Sequence, residues 1–432
     1  MARRALLCGC NYPGSSHALN GCVNDVHSMH TMLTTHFNFS PENITKLIDT
    51  DPSSEQPTGA NIKRHLTELV AASQPGDVLF FHYSGHGTQV PSDHEESDAK
   101  DEALCPTDMN TITDDDLRTI FAGMADGVKL TVVADCCHSG TLLDHTEVQI
   151  TGPKSGDPAA PPQLIDTFTA TAGGTDSRDV ACRALPVDAL VAALGEKLGV
   201  TVAPNQARAA MVAAFGDDAS AKLGPLIQKF DCALSAAGGA QALAAQTAPM
   251  RAEAGSTLRP AVAECSSVAT AKLDELLPGV GSALGGLFGG VIGGGGSGVT
   301  TGSRGIGSVL FNLALEMLSG ADVAEQLPPA GTKPSPEVCL APGRGLLITG
   351  CQAHETSADA CPSGDASKAY GALTNALTTT INQYKQAYPD QDISARTLVS
   401  QVRESLTAAR FAQNPCLECD VVTADAPFVL GT

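Results

Sequence analysis

Lys129-Leu130-Thr131-Val132-Val133-Ala134-Asp135-Cys136-Cys137-His138-Ser139-Gly140 is the stretch from which the fold is read. Its first half is a short apolar, β-rich run, the pattern of a strand buried on both faces of a parallel sheet. The run stops at two cysteines and a Ser-Gly turn. In open α/β sheets, ligands and chemistry collect at the carboxyl ends of the strands, so a cysteine there is a candidate nucleophile. A second run, Asp77 to Tyr83, has the same character and breaks into Ser84-Gly85-His86-Gly87. Glycines on both sides of His86 let the backbone turn sharply and leave the imidazole at the strand tip. Cys137 follows His86 by 51 residues. A helical crossover joining the two strands in parallel brings both tips to one edge. Alone, a strand-end cysteine is a small buried hydrophobe and a glycine-flanked histidine is a turn residue; together, at matching ends of matching strands, they read as a dyad. A structural zinc site is disfavoured, because Cys136, Cys137 and His138 lack CxxC-type partners.

Working outward, the alternation βαβα continues in both directions. Strands are expected at Ala5–Cys10, Asn43–Leu47, Asp77–Tyr83 and Lys129–Ala134, with helices at Asn24–Phe37, Thr58–Ala72 and Leu117–Met124. Such alternation predicts an α/β fold with helices on both faces of a mostly parallel sheet. Residues 150–340 differ. Ala, Gly and Pro dominate them, helices are expected at 185–198, 223–234, 271–277 and 306–318, and 279–307 is glycine-rich enough to be a flexible linker. Order resumes at Arg344, with a strand at Leu346–Thr349, helices at Ala366–Tyr384 and Ser394–Arg410, and extended chain from Cys419 to Leu430. About six strands, interrupted by the linker, make up the expected sheet. The expected division is 1–149, 150–340 and 341–432.

With 432 residues, 43% of them hydrophobic, the chain has ample material for a core. The net charge of −21 disfavours nucleic acid and anionic membranes and suits cationic partners. Fourteen cysteines are too few for a disulfide scaffold of this length. The apolar run at Ala5–Cys10 is too short for a signal segment, and Val280–Val299 reads as linker rather than membrane span. These features predict a reducing, cytoplasmic location.

The two tips, Tyr83-Ser84-Gly85-His86-Gly87 and Asp135-Cys136-Cys137-His138-Ser139-Gly140, resemble the dyad motifs of metacaspases, in the caspase-like cysteine peptidase clan. Leu347-Ile348-Thr349-Gly350-Cys351-Gln352, followed by Glu355-Thr356-Ser357-Ala358-Asp359-Ala360, resembles the small-subunit region of the type II metacaspases of plants and green algae. The resemblance implies a caspase-like three-layer α/β/α sandwich and aligns Cys137, not Cys136, with the nucleophile. His86 is then its acid–base partner. A neighbouring imidazolium is expected to lower the thiol pKa, and the backbone N–H groups of Cys137 and Gly87 are the expected oxyanion donors. Strand alternation puts Asp135 on the face of Cys137 and Ser84 on that of His86. The resemblance assigns Asp25, Ser84 and Asp135 to the pocket for the residue before the cut. Paired carboxylates select a cation, which implies cleavage after Arg or Lys. By itself, Asp25 reads as a charge at a helix start on a solvated turn.

Residues 93–116 hold ten acidic residues and one basic residue. Clustered carboxylates repel unless solvated or neutralised by a hard cation, and the segment lacks EF-hand spacing. The resemblance implies Ca2+ on Asp101, Asp114, Asp115 and Asp144; Asp93, Glu96 and Asp98 are candidates for a second, weaker site. It also implies a zymogen that calcium releases by self-cleavage in the linker, in a family linked to programmed cell death. The candidate residues are Arg178, Arg183, Lys222, Lys229, Arg251 and Arg259; Lys229, within an expected helix, is favoured. Expected partners are protein or peptide substrates with Arg or Lys before the cut, and the chain's own linker in cis. No nucleic acid or membrane is expected, and the chain is expected to be a monomer. Two other readings stand beside this one: a catalytically silent scaffold or aggregate-binding module, and a legumain-like asparaginyl peptidase.

Overall fold

The computed structural model describes residues 1–91, 100–137, 148–151, 178–202, 207–215, 218–220, 343–352 and 355–429. Its centre is a seven-stranded sheet. The strands are β1 (Arg3–Gly9), β2 (Ile44–Ile48), β3 (Val78–Ser84), β7 (Lys129–Asp135), β8 (Val148–Ile150), β10 (Gly345–Thr349) and β13 (Cys416–Glu418), in the spatial order β2-β1-β3-β7-β10-β13-β8. The first five are parallel; β13 runs antiparallel to β10, and β8 antiparallel to β13. The register levels the functional tips: Gly9 opposes Ser84, and Ser84 opposes Asp135.

The strand interiors are apolar because helices cover them. Helix α1 (Cys22–His36) and two C-terminal helices, α6 (Ala372–Ala387) and α7 (Ala395–Ala408), form one cluster with the sheet. Val26, Met29 and Leu33 meet Leu373, Leu377 and Ile381, together with Leu398 and Val402, over Leu7, Phe80, Val133 and Ile348. Truncating a fully buried leucine such as Leu377 to alanine in such a core costs about 2–5 kcal/mol. Helices α2 (Gly59–Ala71) and α3 (Asp114–Ala122) pack against each other, and α2 against β1. The Thr58 side chain caps α2 by accepting the Asn61 N–H, and Thr113 with Asp116 closes a capping box at α3.

Two small sheets flank the centre. One is β4 (His86–Pro91), β5 (Lys100–Cys105) and β6 (Ile112–Thr113); the other is β9 (Arg178–Cys182), β11 (Ala358–Pro362) and β12 (Tyr370–Gly371), with β11 in the middle. The chain divides into two compact units, residues 1–90, 100–186 and 334–432 in the first, 91–99 and 187–333 in the second. In the second, α4 (Val187–Leu198) packs on α5 (Ala207–Phe215), and Leu190, Leu194, Ala210 and Met211 are buried.

The structure departs from the sequence reading in several places. The sheet has seven strands, because β8 adds to its far edge. Residues 178–182, inside the segment read as non-sheet linker, form a strand on β11. The extended chain expected from Cys419 begins earlier, at Cys416, and turns into a short helix α8 (Val421–Ala424), since the Asp420 carboxylate accepts the Val422 and Thr423 N–H groups and starts it. The expected helix over 185–198 is α4. Those at 223–234, 271–277 and 306–318, and the glycine-rich 279–307, lie outside the described residues. None of the described helices is long and apolar enough to cross a membrane.

Candidate active site

Four strand tips converge, and the loops that leave them touch. Gly87 sits so close to Cys137 that a Cβ there would collide with the Cys137 carbonyl oxygen. A Cβ on Gly85 would lie 2.7 Å from the Tyr83 hydroxyl. The glycines around His86 are therefore needed for close approach; neither has a positive φ, so the sharp turn expected of them is not what they supply.

Asp25, Ser84 and Asp135, the three residues expected to line the pocket, are brought together around one side chain. Arg183, fully buried, follows β9 and extends its guanidinium among three carboxylates. Nη2 lies 2.8 Å from Asp25 Oδ2 and 2.9 Å from Asp359 Oδ1; Nη1 lies 3.2 Å from Asp135 Oδ1 and donates to the Asp135 carbonyl (2.9 Å) and the Ser84 hydroxyl (2.8 Å). Each carboxylate has further donors. Ser84 Oγ and the Gly371 N–H serve Asp25; Ser357 Oγ, the Thr374 N–H and Thr374 Oγ serve Asp135; the Asn20 and Gly21 N–H groups serve Asp359. Three anions facing one cation are tolerable in a buried site only because of these donors. Burial still raises the Asp25 carboxyl from 3.8 to about 6, against the opposing pull of Arg183. The floor of the pocket is Gly371: a Cβ on it would strike Asp135, Arg183 and Asp25 at once.

The chain on both sides of Arg183 is held by backbone hydrogen bonds. Before it, β9 pairs antiparallel with β11, and the Arg183 N–H donates to the Ser357 carbonyl at 2.9 Å. Its own carbonyl accepts the Gly87 N–H at 2.9 Å, one of the two expected oxyanion donors. After it, the Leu185 N–H donates to the Gly87 carbonyl (2.8 Å) and Thr88 Oγ donates to the Leu185 carbonyl (2.7 Å).

Cys137 is buried beneath this strand. Its sulfur accepts the Ser357 N–H at 2.9 Å and is within hydrogen-bonding reach of the Cys182 and Cys351 thiols. His86 directs Nε2 at the His17 carbonyl (2.8 Å); a carbonyl only accepts, so Nε2 carries the proton and Nδ1 keeps its lone pair. Nδ1 has no hydrogen-bond partner. The expected depression of the thiol by an imidazolium is not found: burial pushes the Cys137 thiol well up and lowers the His86 imidazole from 6.5 to about 4. Both groups rest neutral, because both are covered and neither is paired with the other.

The expected calcium ligands are only partly described. Asp114 and Asp115 open α3, where Asp115 pairs with Arg118 at 2.6 Å. Asp101 falls on β5. Asp144, Asp93, Glu96 and Asp98 lie outside the described residues, as do Lys222, Lys229, Arg251 and Arg259; Arg178 begins β9. Among the described residues, no three His, Cys, Asp or Glu side chains gather as a metal-binding set.

A model of the metacaspase peptidase C14 domain matches residues 3–146. Metacaspase-4 of Arabidopsis thaliana is 33% identical over 472 aligned residues, which cover 99% of this chain and 100% of that protein. This chain belongs to the metacaspases. Metacaspase-6 of the same plant is 34% identical, again over 99% of this chain and 100% of its own. Metacaspase-1 of Kluyveromyces lactis is 45% identical over 149 residues, 33% of this chain and 34% of its own. The metacaspase is thus a caspase-like cysteine peptidase, and its full-length likeness to the plant proteins agrees with the type II resemblance. The sequence reading missed Asp359, Gly371 and Thr374 as parts of the pocket. Asp359 stands in a stretch already singled out, and the alternation of β11 around it was the available signal; Gly371 and Thr374 carried none.

Proposed function

We propose that this metacaspase is an endopeptidase that cuts after arginine, and less readily after lysine, and that it is made as an idle precursor whose first substrate is its own Arg183–Ala184 bond. The observation that carries this reading is the Arg183 guanidinium held by Asp25, Asp135 and Asp359 while its carbonyl sits on the Gly87 N–H. Arginine offers two terminal nitrogens to this set, one for Asp25 and Asp359, the other for Asp135 and Ser84; lysine offers one nitrogen. An asparagine side chain would leave three carboxylates uncompensated, which counts against the asparaginyl reading.

The chemistry follows from the residues present. Cys137 Sγ attacks the carbonyl carbon of the pocket residue and gives its proton to His86 Nδ1. The oxygen that becomes negative faces the Gly87 N–H. The tetrahedral species collapses with loss of the C–N bond, and the imidazolium returns the proton to the leaving amine. Water then attacks the thioester, gives a proton to His86, and the thiol is restored. In the precursor the neutral pair is slow to begin this sequence, so movement of the cover must bring Nδ1 to the sulfur.

Calcium dependence belongs to the same reading. Carboxylate oxygens are the donors calcium takes, and Asp114 and Asp115 supply two of the four expected, while Asp115 is shared with Arg118. The test is incubation of the intact protein, Cys137→Ala and Arg183→Gln with and without calcium, followed by N-terminal sequencing of the fragments. A new terminus at Ala184, in the wild type with calcium only, is the expected result. An unchanged wild-type band, or fragments that persist in Cys137→Ala, overturns the proposal.

A further inference from the structure

Tyr12 lies in the Asn11-Tyr12-Pro13-Gly14 turn after β1, which the sequence marks only as a turn. Its backbone is left-handed, with φ of 50°, unusual for a bulky residue. The conformation is held: the Tyr12 N–H donates to Asp49 Oδ2 at 2.7 Å, and its carbonyl accepts from both the N–H and the hydroxyl of Ser15. The side chain is 2% exposed. Its ring lies 4.8 Å from the His86 imidazole, centroid to centroid, at an interplanar angle of 33°. Its hydroxyl donates to the Cys105 carbonyl at 2.5 Å and accepts the His86 N–H at 2.7 Å. Tyr83, on β3, shares the Cys105 carbonyl at 2.6 Å and meets the His86 carbonyl at 3.1 Å.

The same loop, three residues on, carries His17, whose carbonyl accepts the Nε2–H hydrogen bond. One loop therefore supplies the stop for one edge of the imidazole and the wall for its face. Only Nδ1 is left unengaged, and that is the atom the reaction needs.

We propose that Tyr12 is a positioning residue for the peptidase reaction: its ring holds the face of the His86 imidazole, and its hydroxyl anchors the His86 backbone. This rests on the reading of His86 and Cys137 as the dyad. The ring has a second effect once the imidazole takes a proton, because an aromatic face attracts a cation. Burial above all, and the charges of His17 and Arg183, disfavour the protonated form of His86, while the backbone of the same two residues favours it; the Tyr12 ring acts with the backbone groups.

The experiment uses the full chain activated with calcium, an Arg-containing fluorogenic peptide, and the rate at which iodoacetamide alkylates Cys137 as a function of pH. Tyr12→Leu removes both contacts: kcat falls by roughly 100-fold, KM moves by less than about twofold, and the acid limb of kcat/KM and of alkylation shifts together, since the imidazolium has lost its ring. Tyr12→Phe keeps the ring and loses the anchor: kcat falls by about 10-fold and the acid limb stays in place. A folded Tyr12→Leu protein with the wild-type acid limb overturns the proposal. So does a Tyr12→Phe enzyme with wild-type kcat, which decides the matter if the leucine variant does not fold. His86→Ala separates the two levels. If it abolishes turnover while the Tyr12 variants are unaffected, only the role of Tyr12 is lost; if it turns over normally, the dyad itself is wrong.

Discussion

At the scale of single residues, the site is a set of ionisable groups kept from their usual states. His86 is lowered from 6.5 to about 4 and His82, buried under Thr374, to about 3, both by burial. Because the folded values are depressed, the stability they confer is complete above pH 6.5 and is lost as pH falls through those values. Asp25 acts the other way. Raised from 3.8 to about 6, its contribution is complete below 3.8 and is lost as pH rises through 6. Two imidazoles oppose one carboxylate, so the precursor loses stability on acidification, on the order of 1 kcal/mol per pH unit below 6.5. Thermal melts of Cys137→Ala at pH 7 and 4.5 should show a lower Tm in acid, and His82→Asn should flatten the dependence; a Tm that rises in acid contradicts the assignment. Much of this scale was legible in the sequence. The histidine, the cysteine, Ser84 and Asp135 lie at strand ends, where alternation fixes the side each one faces. Thr374 was not legible as a pocket residue, because it reaches Asp135 only across 239 residues of chain, and for Asp359 the alternation of β11 was the one local signal.

At the scale of elements, the pocket is a product of how β12 meets α6. Tyr370 and Gly371 form the last strand of the small sheet, and Ala372 begins the helix. The Gly371 and Thr374 N–H groups, free at the start of a helix, point at Asp25 and Asp135. Gly371→Ala puts a methyl group where the guanidinium lies. It should lower cleavage of Arg substrates by roughly 100-fold and lower the Tm of the intact chain as well, since the added group crowds Asp25, Asp135 and Arg183 together. Undiminished turnover by this variant would show that arginine binds elsewhere. The sequence placed a helix from Ala366 through this point, because Ala and Lys continue the helical composition; a short 3-10 turn at Ala366–Lys368 and the bridge of β12 interrupt it. The strand β9 was hidden for a related reason. Its five residues lie in an Ala-Gly-Pro-rich region, and what makes them a strand is the open edge of β11.

At the scale of the whole molecule, the α/β alternation was readable throughout the N-terminal third, where each period is local. The placement of β8 was not, since nothing in Val148–Ile150 says that it will pair with Leu417 and Glu418. That pairing has a consequence for cleavage after Arg183. The order β2-β1-β3-β7-β10-β13-β8 puts two strands from beyond the cut between two strands from before it. The nicked protein should therefore elute from a native sizing column as one species of the intact size and separate into two chains only in denaturant. Two peaks under native conditions would contradict the topology. The proposed cut would therefore release no subunit: the pieces are interleaved like clasped fingers, and dilution alone would not part them.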